Sequence, residues 1–195
     1  VAMIVFTLMG AWRGGQRQLM ERQSEVRESM DAVIERMVVG RVPRVPGTAI
    51  FLTSSTNEAP PLLLHHLEHN KALHERVILL TVATGDEPRV PTAERLELHP
   101  LSEGFERLIV HYGFMQSPNV AVALRLCSRL GLNVEPDEAT FYIGHEDVVP
   151  AAGVSWLARA RTLLYAFLAR NEAPATKFFG LPPERVVEIG TQVIV

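Results

Sequence analysis

The stretch Arg44–Val82, RVPGTAIFLTSSTNEAPPLLLHHLEHNKALHERVILLTV, decides the fold. Gly47–Thr53, GTAIFLT, is a short, apolar, β-branched run bounded by Pro46 and polar residues, and it reads as a buried strand. Arg76–Ala83, RVILLTVA, is a second run of the same kind. Between them, Pro60 or Pro61 suits the first turn of a helix reaching about Asn70. Two buried strands joined by a helix imply a right-handed βαβ unit with the strands parallel. The same stretch holds four of the seven histidines, so it could also be read as an enzyme's centre.

Downstream, polar–apolar alternation predicts a strand over Glu94–Leu98 with one wet face, hairpin-paired with Phe105–Tyr112. Pro118 opens a helix that Gly131 caps, with Val122, Leu126 and Leu130 expected as its buried stripe. Thr140–Ile143 is expected as a short strand and His145–Gly153 as a loop. Ser155 is expected to cap a helix over Trp156–Asn171 that buries Trp156, Leu157, Leu163, Leu164, Phe167 and Leu168. Pro174–Pro183 reads as irregular and Arg185–Val195 as a strand. The expected fold class is therefore α/β: a mixed, partly parallel sheet of about five or six strands flanked by helices and preceded by an N-terminal helical stalk.

Upstream, Val1–Trp12 carries no charge and is followed by Arg13, Arg17 and Arg22. A Trp at an apolar boundary followed by arginines is the pattern of the cytoplasmic end of a membrane helix. Residues 1–12 are thus read as the tail of a transmembrane helix; the competing reading is a helix buried in a soluble core. Residues 13–43 read as a connecting helix and linker. From Val26 on, Met30, Val33, Ile34 and Met37 form a narrow stripe, and Gly40 and the RVPRVP segment end the helix. Residues 44–195 read as the globular domain.

With 195 residues and a net charge of −3, the chain has no overall field that would draw it to nucleic acid. The single Cys127 excludes an internal disulfide. Neither a Gly-rich phosphate loop nor a dinucleotide fingerprint is present. The hydroxyl-rich segment Thr53, Ser54, Ser55, Thr56, Asn57 is different. It follows a parallel strand and precedes a helix, where α/β sheets bind anions and nucleotides. Thr53, Ser54, Ser55, Asn57 and Arg76 are the candidate ligand-binding residues, with Arg44, Lys71 and Arg89 as further sources of positive charge. His65 and His69 share the spacing of two zinc ligands on a helix, but His-Glu-x-x-His is absent and no third ligand lies at helical spacing. His111, Tyr112 and Cys127 raise a Cys–His hydrolase, yet Cys127 lies mid-helix rather than on an exposed turn. No catalytic residue and no metal ligand is assigned, and the chain is read as a non-enzyme.

Several long blocks resemble one family in the same order: RVPGTAIFLTSS, PPLLLHHLEHNKALHERVILLTV, GFERLIVHYGFMQSPNVAVAL, ATFYIGHEDVVP and ARNEAPATKFFGLPPERVVEIGTQVIV. They are similar to the cytosolic C-terminal region of the Kup/HAK/KT potassium uptake permeases of bacteria. The resemblance implies a domain on the cytoplasmic side of the inner membrane, attached to its own transmembrane part. That part would carry K⁺ with H⁺, and no residue of this chain would be a K⁺ ligand. It implies no resident cofactor, a homodimer, and cyclic di-AMP as a regulator, since some relatives in the superfamily bind it in cytosolic parts and dimerise there. Gating and assembly are the roles it suggests. The alternatives are a stand-alone nucleotide-binding sensor of universal-stress type and a metal-dependent hydrolase using His65 and His69. The chain departs from the family at its end, where Ile194 stands in place of a common acidic residue.

Overall fold

The computed structural model describes residues 2–25, 28–56, 58–149, 155–170 and 174–194. Two compact units divide them: a larger one over Glu28–Ile143 and Pro174–Ile189, and a smaller one over Val1–Arg27, Gly144–Ala173 and Gly190–Val195.

The larger unit is built on β1 (Arg44–Leu52) and β2 (Leu73–Gly85), joined by α3 (Pro61–Asn70). The two strands are parallel, with Ala49 opposite Val77, Ile50 opposite Ile78 and Phe51 opposite Leu79. Side chains alternate between the faces of a strand, so each strand supplies two cores at once. Ile50, Ile78, Leu80, Leu108 and Val110 belong to one core, with Val120, Leu124 and Cys127 from the helix that covers that face. Ala49, Phe51, Val77, Leu79 and Phe105 belong to the other, with Leu62 and Leu63 of α3. An unbroken apolar run is what a strand covered on both faces requires.

The remaining strands are β3 (Leu96–Pro100), β4 (Phe105–Gly113), β5 (Thr140–Val149) and β6 (Val186–Ile194). The sheet is six-stranded and mixed, in the order β3-β4-β2-β1-β5-β6. β4 is parallel to β2, β5 is parallel to β1, and β3 pairs antiparallel with β4. Leu96 and Leu98 of β3 pack on the first core, and Glu97 and His99 between them are exposed, giving the wet face expected of this strand.

Three expectations need correction in this unit. The stripe on α4 (Val120–Leu126) is Val120, Ala123 and Leu124, continued by Cys127 in a short 3-10 turn; Val122 and Leu130 are exposed. Both stripes obey helical spacing, and only the position of the sheet selects between them. β5 runs on to Val149, so residues 145–149 are strand rather than loop, and 150–154 lie outside the described residues. The connecting helix expected from Arg13 to Gly40 is two helices, α1 (Ala2–Glu25) and α2 (Met30–Val39). Ser29 caps α2 by accepting the Ala32 N–H at 3.3 Å. Met30, Val33, Ile34 and Met37 are all buried against the second core. α2 is therefore a layer of the larger unit. Val26 lies outside the described residues.

α6 (Ala175–Phe178) gives one turn to the Pro174–Pro183 stretch expected to be irregular. At the C-terminus of α3, Lys71 takes the left-handed conformation at φ 52° and its N–H bonds the Leu67 carbonyl.

In the smaller unit, α1 packs on α5 (Trp156–Arg170). Tyr165 is the buried anchor at 3% exposure. Its ring lies 5.4 Å from that of Trp12 and over Gly15, where a Cβ would overlap it, and its hydroxyl accepts from Gln16 Nε2 at 3.3 Å. The expectation that α5 buries Trp156, Leu163 and Phe167 is overturned: these are 76%, 52% and 65% exposed. The side chain of Leu157 and residue Asn171 lie outside what is described.

Gly15→Ala tests this packing. Alanine normally favours a helix over glycine by about 1 kcal/mol. Here the Tyr165 ring occupies the space, and overpacking costs about 1–3 kcal/mol. The expected net effect is destabilisation of the helix pair, read as lost near-ultraviolet dichroism of Trp12 and Tyr165 at lower urea. In the larger unit, Lys71→Gly relieves a left-handed residue and is expected to raise stability by roughly 0.5–1 kcal/mol, read by far-ultraviolet dichroism in urea.

Candidate functional site

The crossovers leaving β1 and reaching β5 cover opposite faces of the sheet: α3 lies on the Phe51 side and α4 on the Ile50 side. β1 and β5 are neighbours, so the carboxyl end of β1 is a topological switch point, the place where open α/β sheets take ligands. The segment Thr53–Ala59 sits there. It is strapped down by Thr53 N–H donating to Leu80 O at 2.9 Å, Thr81 Oγ1 donating to Ser55 O at 3.3 Å, and Ala59 N–H donating to Glu28 O at 3.0 Å. Thr53 Oγ1 accepts the Ser55 N–H at 3.1 Å, and Ser55 Oγ accepts the Glu58 N–H at 3.2 Å. Each hydroxyl spends a lone pair on the loop and keeps its own proton to donate. Ser54 is exposed, and Asn57 lies outside the described residues.

Two features limit what this loop can do with an anion. Pro60 and Pro61 stand at the start of α3, so two of the four N–H groups that a helix start leaves free are missing. The expected cations are also elsewhere. Arg76 pairs with Thr48, four residues before Leu52, which places it about 13 Å down the strand from the loop. Its guanidinium holds Glu106 at 2.8 and 3.2 Å and the Asn133 carbonyl at 3.0 Å. Arg44 stands at the amino edge too, donating to the His74 and Glu103 carbonyls at 2.9 Å and lying 5.1 Å from the centre of the Phe105 ring. Lys71 ends α3 at that same edge. The structure thus gathers Thr53, Ser54 and Ser55 and separates Arg76 from them.

The histidines divide by face. The rings of His65 and His69 lie 4.3 Å apart and tilted by 59° on the outer side of α3. Among the described residues, no group of three or more His, Cys, Asp or Glu is placed to hold a metal ion. His66 faces inward at 5% exposure. Its ring meets Tyr142 edge-on at 4.8 Å and Phe51 at 5.5 Å, and its Nδ1 bonds Asn70 Nδ2 at 2.9 Å. Tyr142 in turn stacks on Phe51 at 4.7 Å, with His74 6.2 Å away. Burial is the main force pushing the His66 imidazole below its ordinary value; the Ala72 backbone opposes it and the His74 charge adds to it. Burial likewise lowers His74, and its Nδ1 has no hydrogen-bond partner among the described residues. These rings are an aromatic core held neutral, not a ligand set.

Cys127 is fully buried, and its thiol donates to the Ala123 carbonyl at 3.2 Å. Burial pushes its pKa up to about 11, the reverse of what a nucleophile needs. His111 lies between Val110 and Tyr112, which face the Cys127 core, so it projects from the opposite face of β4. There His111 and His99 share the carboxylate of Glu97 at 3.2 and 2.7 Å. The bond to His111 first, then that to His99, draws Glu97 below the usual carboxylate range. This surface trio was missed in the sequence, because pairing register is what brings residue 111 beside 97.

The geometry defines an α/β sheet domain with a hydroxyl-rich segment at one switch point and no assembled catalytic constellation among the described residues. Comparison with known proteins supplies the family. Residues 46–195 match the family described as the K+ potassium transporter C-terminal domain, and the chain belongs to that family. It is 49% identical to the probable potassium transport system protein Kup of Nitrosomonas eutropha over 193 residues, 99% of this chain and 30% of the relative. It is 49% identical to Kup 1 of Geobacter sulfurreducens over 97% of this chain, and 43% identical to a Pseudomonas aeruginosa Kup over the same share. The chain spans about 30% of the length of each of these relatives. No solved structure matches it.

Two consequences are measurable. The neutral His66 and His74 rings contribute stability that is complete above about pH 6.5, their unfolded value, and that is lost as the pH falls below it. The urea midpoint is expected to drop between about pH 7.5 and about pH 5, with a shallower drop in His66→Phe. An equal slope in both would show that His66 takes no part. Arg76→Ala removes a forked, partly buried ion pair and a carbonyl contact; a loss of about 1–2 kcal/mol in the same titration is expected.

Proposed function

We propose that this chain is the cytosolic regulatory or assembly domain of a proton-coupled potassium uptake permease of the inner membrane. The observation that carries the reading is the 49% identity, over nearly the whole chain, to proteins named potassium transport system proteins, of which it matches only 30%. In this reading the apolar start of α1 is the end of the last membrane helix, and Arg13 and Arg17 mark the cytoplasmic boundary. Among the described residues no helix is long and apolar enough to cross a membrane; in this reading the K⁺ path lies in another part of the transporter. The test is potassium uptake by the full-length transporter in a strain lacking its own uptake systems. Removing residues 44–195 is expected to reduce uptake per molecule at the membrane or the amount of transporter that assembles. Unchanged uptake and unchanged abundance would overturn it.

The position of the Thr53–Ala59 segment at a switch point supports a second, narrower reading: a regulatory cyclic di-nucleotide bound there, with Thr53 and Ser55 hydroxyls donating to it. Calorimetric titration of the chain with cyclic di-AMP is expected to give heat that Thr53→Ala with Ser55→Ala removes. No heat at high micromolar ligand would sink this reading and leave the transporter reading standing.

A further inference from the structure

α5 carries the feature that no part of the transporter reading uses. Its sequence, WLARARTLLYAFLAR, holds three arginines and no acid. Trp156, Leu163 and Phe167 fall at i, i+7 and i+11, within about 40° of one another on the helix surface. All three are exposed. Tyr165 lies on the opposite side and is buried against Trp12 and Gly15 of α1. Arg159 flanks the apolar strip and is exposed, and Arg161 lies beside Gly14 of α1. The contact pins α5 to the part of α1 between Ala11 and Gln16, where the uncharged run gives way to Arg13 and Arg17. The preceding turns of α1 also expose Met3, Phe6 and Met9.

An aromatic and aliphatic strip, edged by arginine, free of acids and held at the level where a membrane helix would emerge, has the chemistry of a helix lying in a bilayer surface. We propose that α5 is an interfacial helix that seats Trp156, Leu163 and Phe167 among the acyl chains of an anionic phospholipid bilayer, with Arg159 at the headgroups. The proposal rests on the reading of α1 as a membrane-helix end. α5 would hold the emerging chain at the bilayer surface through the Tyr165–Gly15 contact.

The experiment uses the 195-residue chain carrying Trp12→Phe, so that Trp156 is the sole tryptophan. Vesicles of phosphatidylcholine are compared with vesicles containing phosphatidylglycerol. With anionic vesicles, Trp156 emission is expected to shift to the blue and its quenching by iodide to fall several-fold, with a much smaller effect on neutral ones. Leu163→Gln with Phe167→Gln is expected to weaken partitioning about tenfold or more. Both side chains are more than half exposed, and far-ultraviolet dichroism checks that the variant keeps its fold. If the chain floats with vesicles while iodide still reaches Trp156, the proposal is overturned and the α1 reading stands. If Phe6→Gln with Met9→Gln leaves partitioning unchanged while Trp156 is still shielded, the α1 reading fails and α5 binds by itself. Shielding of Trp156 without vesicles, rising with protein concentration, would assign the strip to a second copy and overturn the proposal.

Discussion

The parallel pairing of β1 with β2 is the constraint on which the larger unit depends. Ile50 and Ile78 feed one core and Phe51 and Leu79 the other, at adjacent positions of the same two strands. A slip of one residue would exchange the two faces, placing Phe51 where α4 packs and Ile50 beneath α3. Among the described residues, the buried polar side chains are His66, bonded to Asn70, and Thr81, whose hydroxyl ties down the segment after β1. The central strands therefore set which sides of α2, α3 and α4 must be apolar.

That arrangement also explains where chemistry is found and where it is not. The carboxyl ends of β1 and β5 create a switch point, and the hydroxyl-rich segment occupies it. Arg44 and Arg76 stand at the opposite edge, where they knit the start of β2 to β4 and to neighbouring loops. Arg76 and Arg44 hold the amino edge of the sheet together through Glu106 and three carbonyls. Pro60 and Pro61 define the start of α3 at the expense of its donors. The result is a rigid scaffold whose surviving polar capacity is local and neutral.

The histidines show how far residue type alone can mislead. His65, His66, His69 and His74 are close in sequence, but α3 turns His66 inward and leaves His65 and His69 outside, while His74 belongs to the next strand. Their shared composition dissolves into a tilted pair on the outer side of α3 and two members of an aromatic core around Tyr142. By contrast, His99 and His111, twelve residues apart, meet at one carboxylate because β3 and β4 pair antiparallel.

The local chemistry of the chain settled a good deal unaided. Apolar runs long enough only for strands, with Pro60–Pro61 opening the helix between them, placed β1, α3 and β2. Gly131 ended the turn after α4, and the alternation of Leu96, Glu97, Leu98 and His99 marked a half-wet strand. These signals lie within a few residues and depend on backbone preference and periodicity. What needed the tertiary structure were choices between equivalent local patterns: Val120–Ala123–Leu124 rather than Val122–Leu126–Leu130 as the buried stripe, and Tyr165 rather than Trp156, Leu163 and Phe167 as the anchor of α5. The same is true of the separation of Arg76 from the Thr53 segment and of α2 joining the second core. An amphipathic helix with two apolar stripes satisfies its own spacing either way. Only the surface it meets, a sheet face for α4 and the Gly15 groove of α1 for α5, decides which stripe leaves water.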